Sequence, residues 1–393
     1  MIAAHHQIAV RVAFTAALLV LLLPRAAHAQ TLPYATYQPI TAPAALPAQA
    51  TAPVVPPTQP VYYEAAPNTG QAVATPPTPG PVEVAKTGED DKAIFSFVLE
   101  NDIFAGTDNG YTNGFRASMV SSESATPDSI RWAADHLLPL SLEGNKRIDF
   151  AIGQNIYTPT DTAARVPDPK DRPYAGWLYG SVGVISDRGD RLDNVMLSVG
   201  VVGPSSLAEQ TQDTVHGLIG DAKPRGWDYQ LKDEPGVMLT LERTWRSLYA
   251  VNPTGLAFDV SPYIGSNLGN VETDASAGAT LRLGWDLPAD YGPPRIRPSL
   301  PGSDFFIPTE TLGGYLFLGA EGRGVAQNIF LDGNTFTDSP SVDKKLLVGN
   351  LQGGFAITYK DTRLSYTHVL ETKEFATQQK AEQFGAVTLS YRF

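Results

Sequence analysis

Apolar and polar residues alternate along short runs over most of the chain. In the run 94–100, Phe95, Phe97 and Leu99 share one face of an extended backbone. The last residues, 387–393, repeat this pattern. Because successive side chains of a β-strand point to opposite faces, a period of two predicts strands with one apolar and one polar face.

We predict twelve such strands between residue 91 and the C-terminus. Their ranges are 92–104, 111–122, 147–158, 172–187, 190–203, 234–248, 255–267, 270–286, 311–325, 344–359, 362–370 and 382–393. Each has the roughly 9–11 residues that a strand of a membrane barrel needs. The even number and the aromatic residues near strand ends favour an all-β fold, a 12-stranded antiparallel transmembrane β-barrel. The alternative is a large soluble β-sandwich or barrel, which shares the alternation.

The strand order also predicts which connections share an end of the barrel. If the first strand rises from the periplasm, the odd-numbered connections lie outside, because consecutive strands run antiparallel. Four polar segments then meet at the outer end, namely 100–102, 107–114, 171–177 and the connection 204–233. This shared location is the main argument from the residues for a functional site at that end.

Two inner connections are longer than the turns expected there. They are 123–146 and 287–310, and residues 130–140 of the first have apolar side chains at helical spacing. We predict an amphipathic helix in that segment.

The outer connection 204–233 has the marks of a short helix. Ser206 followed by Glu209 fits a capping box, and Gly220 is a stop signal. We therefore predict a short helix over 207–219 in an extracellular loop.

His216 is the candidate general base of this chain. On the predicted helix, Gln212 lies four residues before it on the same face, and Asp213, three residues before it, is a neighbour able to accept a hydrogen bond from the ring N–H. An imidazole oriented by a side-chain oxygen is suited to general base chemistry. The other histidines beyond residue 30 are His136, in the inner amphipathic segment, and His368, in a strand, and for both we expect packing or surface roles.

Carboxylates at the same end permit two interpretations. Glu100, Asp102 and Asp108, with the amide of Asn101, offer oxygen ligands suited to a hard cation such as Ca²⁺. Alternatively, Asn, Asp and Gly residues shape the turn 105–110 and solvate the rim. The chain has no G-x-S-x-G, H-E-x-x-H or phosphate-loop motif, which argues against a standard serine hydrolase or zinc peptidase.

Charge and composition exclude further classes. The chain has 29 Lys and Arg against 41 Asp and Glu, a net charge of −12, so nucleic acid is not an expected partner. With no cysteine, disulfides, thiolate metal sites and cysteine nucleophiles are absent from the chain. Outside the N-terminus, no apolar run has the ~20 residues of a membrane helix.

The N-terminal residues predict export. Residues 1–29 have the apolar core and the Ala27-His28-Ala29 cleavage site of a signal peptide, although a short membrane anchor is the alternative. Residues 30–90 hold 13 of the 32 prolines and few charges, which predicts a disordered periplasmic linker. The barrel domain then spans 91–393.

Five motifs in this barrel domain resemble the lipid A 3′-O-deacylase family of outer-membrane proteins. They are Glu100-Asn101-Asp102-Ile103-Phe104, Tyr111-Thr112-Asn113-Gly114, Asp171-Arg172-Pro173-Tyr174-Ala175-Gly176-Trp177, Gln212-x-x-Val215-His216 and Gly226-Trp227-Asp228-x-Gln230-Leu231. The resemblance runs over most of 91–393, with the motifs in the family's order, and does not extend to 31–90.

The resemblance implies an outer-membrane enzyme that removes the 3′-linked acyloxyacyl chain of lipopolysaccharide and requires Ca²⁺. By motif, the active-site residues of the family correspond to Asn101, Asp102, Thr112 and His216. The family's loop lysine corresponds to Lys170, although the surrounding pattern differs. The family has Asn where this chain has Asp213, which could change how His216 is oriented.

The resulting hypothesis is ester hydrolysis at the membrane surface. His216 takes a proton from the attacking water, Ca²⁺ held by Asp102 and Asn101 stabilises the oxyanion, and Thr112 hydrogen-bonds a ligand or the water. We assign substrate binding to a further set of side chains: Lys170, Arg172, Tyr174 and Gln212. The expected partners are lipid A and outer-membrane lipid, with the protein a monomer. The alternatives are a phospholipase-like esterase and a noncatalytic porin or structural barrel.

Overall fold

A computed structural model describes most of the chain from residue 91 onward. The described residues are 91–102, 110–136, 142, 144–220, 222–252, 255–285, 287–288, 290, 292, 305–308 and 310–393. The predicted signal peptide at 1–29 and the predicted linker at 30–90 lie outside these residues.

The described chain forms an antiparallel sheet that closes on itself. Its strands are β1 (Ile94–Asn101), β2 (Gly110–Val120), β3 (Asn145–Thr158), β4 (Ala175–Asp187), β5 (Arg191–Val202), β6 (Glu234–Trp245), β7 (Tyr249–Val251), β8 (Leu256–Gly269), β9 (Glu272–Trp285), β10 (Leu312–Asn328), β11 (Leu347–Tyr359), β12 (Thr362–Glu371) and β13 (Glu382–Arg392). β1 pairs with β13 and β6 pairs with β8, so the twelve long strands form a complete ring. The three-residue β7 lies beside β8 alone. The predicted 12-stranded barrel is confirmed.

The barrel wall has an apolar outward face and a polar face towards the lumen, which is the reverse of a soluble barrel. Large apolar side chains point outward and are exposed, among them Phe95, Met119, Phe150, Ile152, Val182, Leu197, Leu281, Leu316, Phe355 and Leu364. Polar and charged side chains point into the lumen and are buried, among them Ser96, Arg116, Asp149, Ser198, Thr240, Arg282, Arg323, Gln352, Arg363 and Ser390. An apolar outer surface around a polar interior is the pattern of a barrel surrounded by lipid.

Three helices accompany the described strands. They are α1 (Asp128–His136), α2 (Ala208–Ile219) and α3 (Ile329–Asp332). No helix among the described residues has the length and apolar character needed to cross a membrane. α1 overlaps the predicted amphipathic helix, 130–140, over residues 130–136, and residues 137–140 lie outside the described part of the chain. Its Ala134 packs with Leu142 against Val195, whose place in the alternation of β5 puts it on the outward face.

We call the end of the barrel where β1 ends the upper rim, and the opposite end the lower end. Described residues of the long connection between β9 and β10 lie in the lumen at the lower end. Its Asp290 is fully buried, accepts hydrogen bonds from Tyr315 at 2.9 Å and Arg363 at 3.2 Å, and pairs with Arg282. A buried carboxylate held by two arginines is compensated for the loss of its water.

Two aromatic residues of the same connection fill the lumen beside this charge cluster. Phe305 and Phe306 pack against buried side chains of the wall, namely Ile94, Val120, Ile185 and Leu192. The guanidinium of Arg147 lies 4.5 Å from the ring centre of Phe305, and that of Arg363 lies 4.8 Å from Phe306. The described residues of this connection, which is longer than an inner turn needs, therefore fill part of the lumen.

The lumen is also filled near the upper rim. α3 directs Ile329 and Phe330 into an apolar cluster, and the Phe330 ring stacks on Tyr157 with centroids 4.2 Å apart. Asn328 fixes the start of α3 because its side chain accepts a hydrogen bond from the Phe330 amide at 3.0 Å.

Candidate functional site

Part of the outward face of the wall is buried near the upper rim. Strand register aligns Asn101 with Asn113, Asn113 with Ile156, and Ile156 with Gly176, across β1 to β4. Directly paired residues of a sheet share a face, and Asn101 continues the outward alternation of Phe95. All four are buried, unlike the apolar residues lower on this face. The loops therefore cover the outside of the barrel here.

The start of α2 covers the part of this face that β3 and β4 form. A Cβ on Gly176 would lie 2.2 Å from Ser206 Oγ and 2.3 Å from Ala208 Cβ, so the helix start touches the strand backbone. Gln154, also on the outward face, donates a hydrogen bond to the Ser206 carbonyl at 2.6 Å. Ala208 packs with Ile156 in one apolar cluster. α2 therefore lies outside the wall, against β3 and β4.

The prediction for α2 is correct at its C-terminus and wrong at its N-terminus. The helix itself is confirmed, and Gly220 ends it in the left-handed region at φ 74°. The predicted capping box is wrong, because the N-cap is Leu207 at φ 61° and no side chain caps the helix. Ser206 instead belongs to a preceding 3₁₀ turn, Pro204–Ser206.

One face of α2 is directed at the wall. Ala208, Gln212 and His216 recur every four residues and are buried, whereas the intervening residues are more exposed. His216 is only 4% exposed. The expected pairing of Gln212 and His216 on a common face is confirmed, and that face is the one turned towards the barrel.

The ring of His216 is oriented by the main chain. Its Nδ1 lies 2.6 Å from the carbonyl oxygen of Ala222. A carbonyl can only accept, so Nδ1 carries the proton and Nε2 of the neutral ring holds the lone pair. The expectation that Asp213 accepts from the ring is wrong, because Asp213 is paired with Lys223 at 2.8 Å.

An aromatic pair, Tyr174 and Trp227, packs beside α2. Trp227 Nε1 donates to the side-chain oxygen of Gln212 at 2.9 Å, and the Trp227 ring lies 4.8 Å from that of Tyr174. Gly226 permits this contact, since a Cβ there would lie 2.6 Å from the Tyr174 ring. The Tyr174 carbonyl also accepts from the Leu231 amide at 3.0 Å.

Arg172 lies on the other side of the wall. Its guanidinium donates to Glu374 at 2.7 Å and Glu382 at 3.1 Å, and lies 5.1 Å from the ring centre of Tyr157. Burial opposes its positive charge, but Glu382 and Glu374 together raise the pKa of Arg172 above its ordinary value. The substrate-binding set predicted from the sequence is thus divided between the lumen and the outward face.

The remaining candidates lie around β1 and β2. Asp102 is fully buried just after β1, and Asn101 is buried at its end. Thr112 occupies a bulge of β2, where the register with β3 shifts between Tyr111 and Asn113, and its side chain lies outside the described residues. Bulges often occur next to active sites, where they redirect a side chain.

Lys170 and the two other histidines lie away from the buried face of α2. Lys170 is exposed, and its carbonyl accepts a hydrogen bond from Thr377. His136 lies on α1 at the lower end, with its Nδ1 2.8 Å from the Trp132 carbonyl. His368 is on the outward face of β12, 3.5 Å from the Tyr366 hydroxyl. The expected surface roles of His136 and His368 agree with these positions.

The donors available for a metal ion are oxygens. Asn101 and Asp102 supply amide and carboxylate oxygens, the ligand type that Ca²⁺ prefers. Within the described residues, no group of three or more His, Cys, Asp or Glu side chains is arranged to hold a metal ion. Asp108, the other loop candidate, lies outside the described residues. The chemistry of these oxygen donors fits a hard cation such as Ca²⁺.

Several residues of this arrangement are absent from the expected site. Glu374 and Glu382 belong to the β12–β13 connection and the start of β13, distant in sequence from Arg172, and no local pattern marks them. Trp227 belongs to one of the five motifs, but nothing in the sequence marks it as a support of α2. The Ala222 carbonyl is a main-chain group, which residue types do not reveal.

Comparisons with known proteins agree with this architecture. A family model described as "Outer membrane protein LpxR" matches residues 71–393. LpxR from Salmonella typhimurium has a similar structure, with a TM-score of 0.64 at 20% identity, covering 76% of this chain and 100% of that chain. At this identity the structural likeness shows the fold alone.

Other solved barrels are less similar. The β domain of the Bordetella autotransporter BrkA matches with a TM-score of 0.37 at 11% identity, covering 77% of this chain and 100% of that chain. This likeness supports no conclusion about the present protein. No curated protein matches the chain. The family match over most of the sequence shows that the chain belongs to the LpxR family of outer membrane proteins, and that its barrel is located in the outer membrane.

Proposed function

We propose that the protein is an outer-membrane lipid A deacylase that hydrolyses the 3′-acyloxyacyl ester of lipopolysaccharide. The observation that carries the proposal is the position of His216, which α2 holds against the outside of the barrel wall. A site on this surface faces the bilayer. A lipid substrate can therefore reach it sideways, with its acyl chains still in the membrane.

The dimensions of α2 support a shared site for His216 and the end of β1. Neighbouring strands are ~4.8 Å apart, so the three steps from Gly176 to Asn101 span roughly 14 Å. From Ala208 to His216 the helix advances about 12 Å. Because α2 begins against β4 and also contacts β3, we infer that it runs towards β1 and carries His216 with it.

The chemistry assigned to this chain is general base catalysis. Nε2 of His216 accepts a proton from the water that attacks the ester carbonyl. Asn101 and Asp102 are the residues that would hold Ca²⁺, and Thr112 would hydrogen-bond the substrate or the water. When bound, Ca²⁺ supplies positive charge near the carbonyl oxygen that becomes negative.

The other assigned residues would act around this centre. Lys170 is exposed at the upper rim, where a cation can meet a lipid A phosphate. Gln212 and Tyr174 are held by Trp227 beside the His216 face of the helix. The closed ring of strands has no unpaired edge among its long strands, which supports a monomer.

Mass spectrometry of lipid A from expressing cells tests the proposal. The wild type should remove the 3′ chain, and His216→Ala should lower the rate by about 10²–10⁴-fold, the usual contribution of a general base. His136→Ala is the matched control, since His136 is exposed at the opposite end of the barrel, and it should leave activity unchanged.

The same measurement distinguishes the alternatives. Unchanged lipid A together with hydrolysed glycerophospholipid would show a phospholipase-like esterase. No change in any lipid, with the folded barrel present in the outer membrane, would show a noncatalytic barrel.

Calcium dependence is tested with purified protein and lipopolysaccharide. Chelation of Ca²⁺ should abolish hydrolysis and added Ca²⁺ should restore it. Asp102→Asn should raise the Ca²⁺ concentration needed for half-maximal activity, because one carboxylate donor is lost. Full activity in chelator would contradict the assignment of Asn101 and Asp102 as ligands.

A further inference from the structure

We propose that Arg172 is a positioning residue that acts across the barrel wall, anchoring a strap which holds α2 and His216 in place. The strap is the segment Arg172-Pro173-Tyr174, immediately before β4. This inference rests on the proposed function, because it concerns the placement of the same His216.

The strap is anchored in the lumen by its first residue. Arg172 is 1% exposed and forms ion pairs with both Glu374 and Glu382. Its guanidinium also lies over the ring of Tyr157, which is stacked on Phe330 of the lumen cluster. Arginine suits this position because its planar fork can bond two carboxylates while its face contacts an aromatic ring.

The last residue of the strap is fixed on the opposite side of the wall. Tyr174 is fully buried, and it packs with Ile156, Ala208 and Trp227 in the cluster under α2. Pro173 lies between the two anchors, where its ring restricts the backbone. A displacement of Arg172 in the lumen would therefore be transmitted over a short, stiff distance to Tyr174.

From Tyr174 the contacts lead directly to the helix that carries His216. The Tyr174 ring contacts Trp227, and Trp227 donates its indole N–H to Gln212. Gln212 and His216 are one helical turn apart on the buried face of α2. A continuous set of packed side chains therefore runs from the apolar cluster in the lumen, across the upper rim, to the candidate base His216.

The contacts of Arg172 favour this role over direct substrate binding. Arg172 is 1% exposed and both of its terminal nitrogens donate to glutamates, so its guanidinium is not presented to a lipid phosphate. Gln378 further fixes the partners, since it donates to Glu382 at 3.1 Å and accepts from the Glu374 amide.

The test uses Arg172→Lys in the full-length protein, with Arg282→Lys as the matched control. Arg282 is also a buried lumen arginine with two carboxylate partners, Asp259 and Asp290, and an aromatic ring, Tyr315, 5.5 Å from its guanidinium, but it lies at the lower end of the barrel. Protein labelled with 5-fluorotryptophan reports on Trp227 by fluorine NMR, with the resonance assigned from Trp227→Phe. Hydrolysis of lipopolysaccharide is measured as kcat and KM separately.

For Arg172→Lys we expect kcat to fall by about tenfold or more while KM changes little, because a small misplacement of a catalytic group is costly. The Trp227 resonance should move in Arg172→Lys and stay in Arg282→Lys. Glu382→Gln should reproduce the effect, and its combination with Arg172→Lys should add little to it. If Arg172→Lys does not fold, Glu374→Gln weakens the same anchor more mildly and takes its place.

Two results would overturn the inference. A large rise in KM with kcat and the Trp227 resonance unchanged would make Arg172 a substrate contact. An unmoved resonance with normal kcat would show that the strap does not position α2. If the wild type hydrolyses no lipid A, the proposed function fails. The Trp227 resonance still decides whether Arg172 holds α2 in place.

Discussion

His216 is oriented by a group that no side-chain substitution removes. The Ala222 carbonyl reaches Nδ1 because the chain reverses at Gly220, whose φ of 74° ends α2. A glycine accepts this left-handed conformation without strain. The geometry of the turn after the helix, and not a neighbouring acid, therefore decides which ring nitrogen can act as a base.

Asp213→Asn follows from this arrangement as a prediction for a single residue. Asp213 pairs with Lys223, and both side chains are partly exposed. An exposed ion pair contributes about 0–1 kcal/mol, and the ring of His216 does not use Asp213. Activity on lipopolysaccharide should therefore stay within about twofold of the wild type.

The opposite result is equally clear. A loss of activity of about tenfold or more in Asp213→Asn, with the barrel folded, would mean that Asp213 orients the imidazole after all.

At the scale of elements, the seating of α2 depends on a strand residue without a side chain. Gly176 of β4 lets Ser206 and Ala208 approach the backbone of the strand. No side chain caps the helix at Leu207 to fix its start. The contact with Gly176 therefore determines which face of α2 is turned towards the strand. Strand and helix thus form one surface.

Gly176→Ala should displace the start of α2 from β4 while the barrel itself still folds. The added methyl would meet Ser206 and Ala208 at less than 2.5 Å, so the helix start must shift. A displacement of about 1 Å can cost 10²-fold in rate, and we expect a loss of that order in lipid A hydrolysis, with the heat-modifiable migration of the folded barrel on gels retained.

Gly180→Ala is the control for this prediction. Gly180 lies on the same face of β4, and a Cβ there would have its nearest neighbour at 3.9 Å. It should behave as the wild type. Equal activity of Gly176→Ala and the wild type would show that the contact between α2 and β4 does not set the position of His216.

The strands could be predicted from the sequence and the seating of α2 could not. Lipid outside and polar groups inside impose a period of two on each strand, so the predicted range 111–122 corresponds to β2 and 234–248 to β6. The site depends on contacts between distant segments, such as Arg172 with Glu382. Local periodicity carries no information on such pairs, nor on the side of the wall that a loop helix chooses.

At the scale of the whole molecule, the lumen is filled at both ends. Phe305 and Phe306 close the lower end beside Asp290, and Phe330 lies in the apolar cluster near the upper rim. Between them the interior is lined by paired charges such as Arg116 and Asp149 at 2.9 Å. Buried ion pairs of this kind rigidify the wall only while both partners are present.

A barrel filled in this way should not conduct ions. Purified wild-type protein in planar lipid bilayers is expected to give no stepwise current, whereas a general porin reconstituted in parallel should give clear steps. The expectation follows from the packed lumen, because a porin needs a water-filled channel and this interior holds the aromatic plug of Phe305 and Phe306.

This measurement also separates the candidate functions independently of any enzyme assay. Regular conductance steps in the wild type would require the connection between β9 and β10 to leave the lumen, and would favour the porin alternative. A silent wild type would exclude an open pore, and the lipid assays would then decide between catalysis on the outward face and a structural role. The proposed catalysis on the lipid-facing surface needs no open channel, because it requires only a rigid wall that keeps α2 and the end of β1 in place.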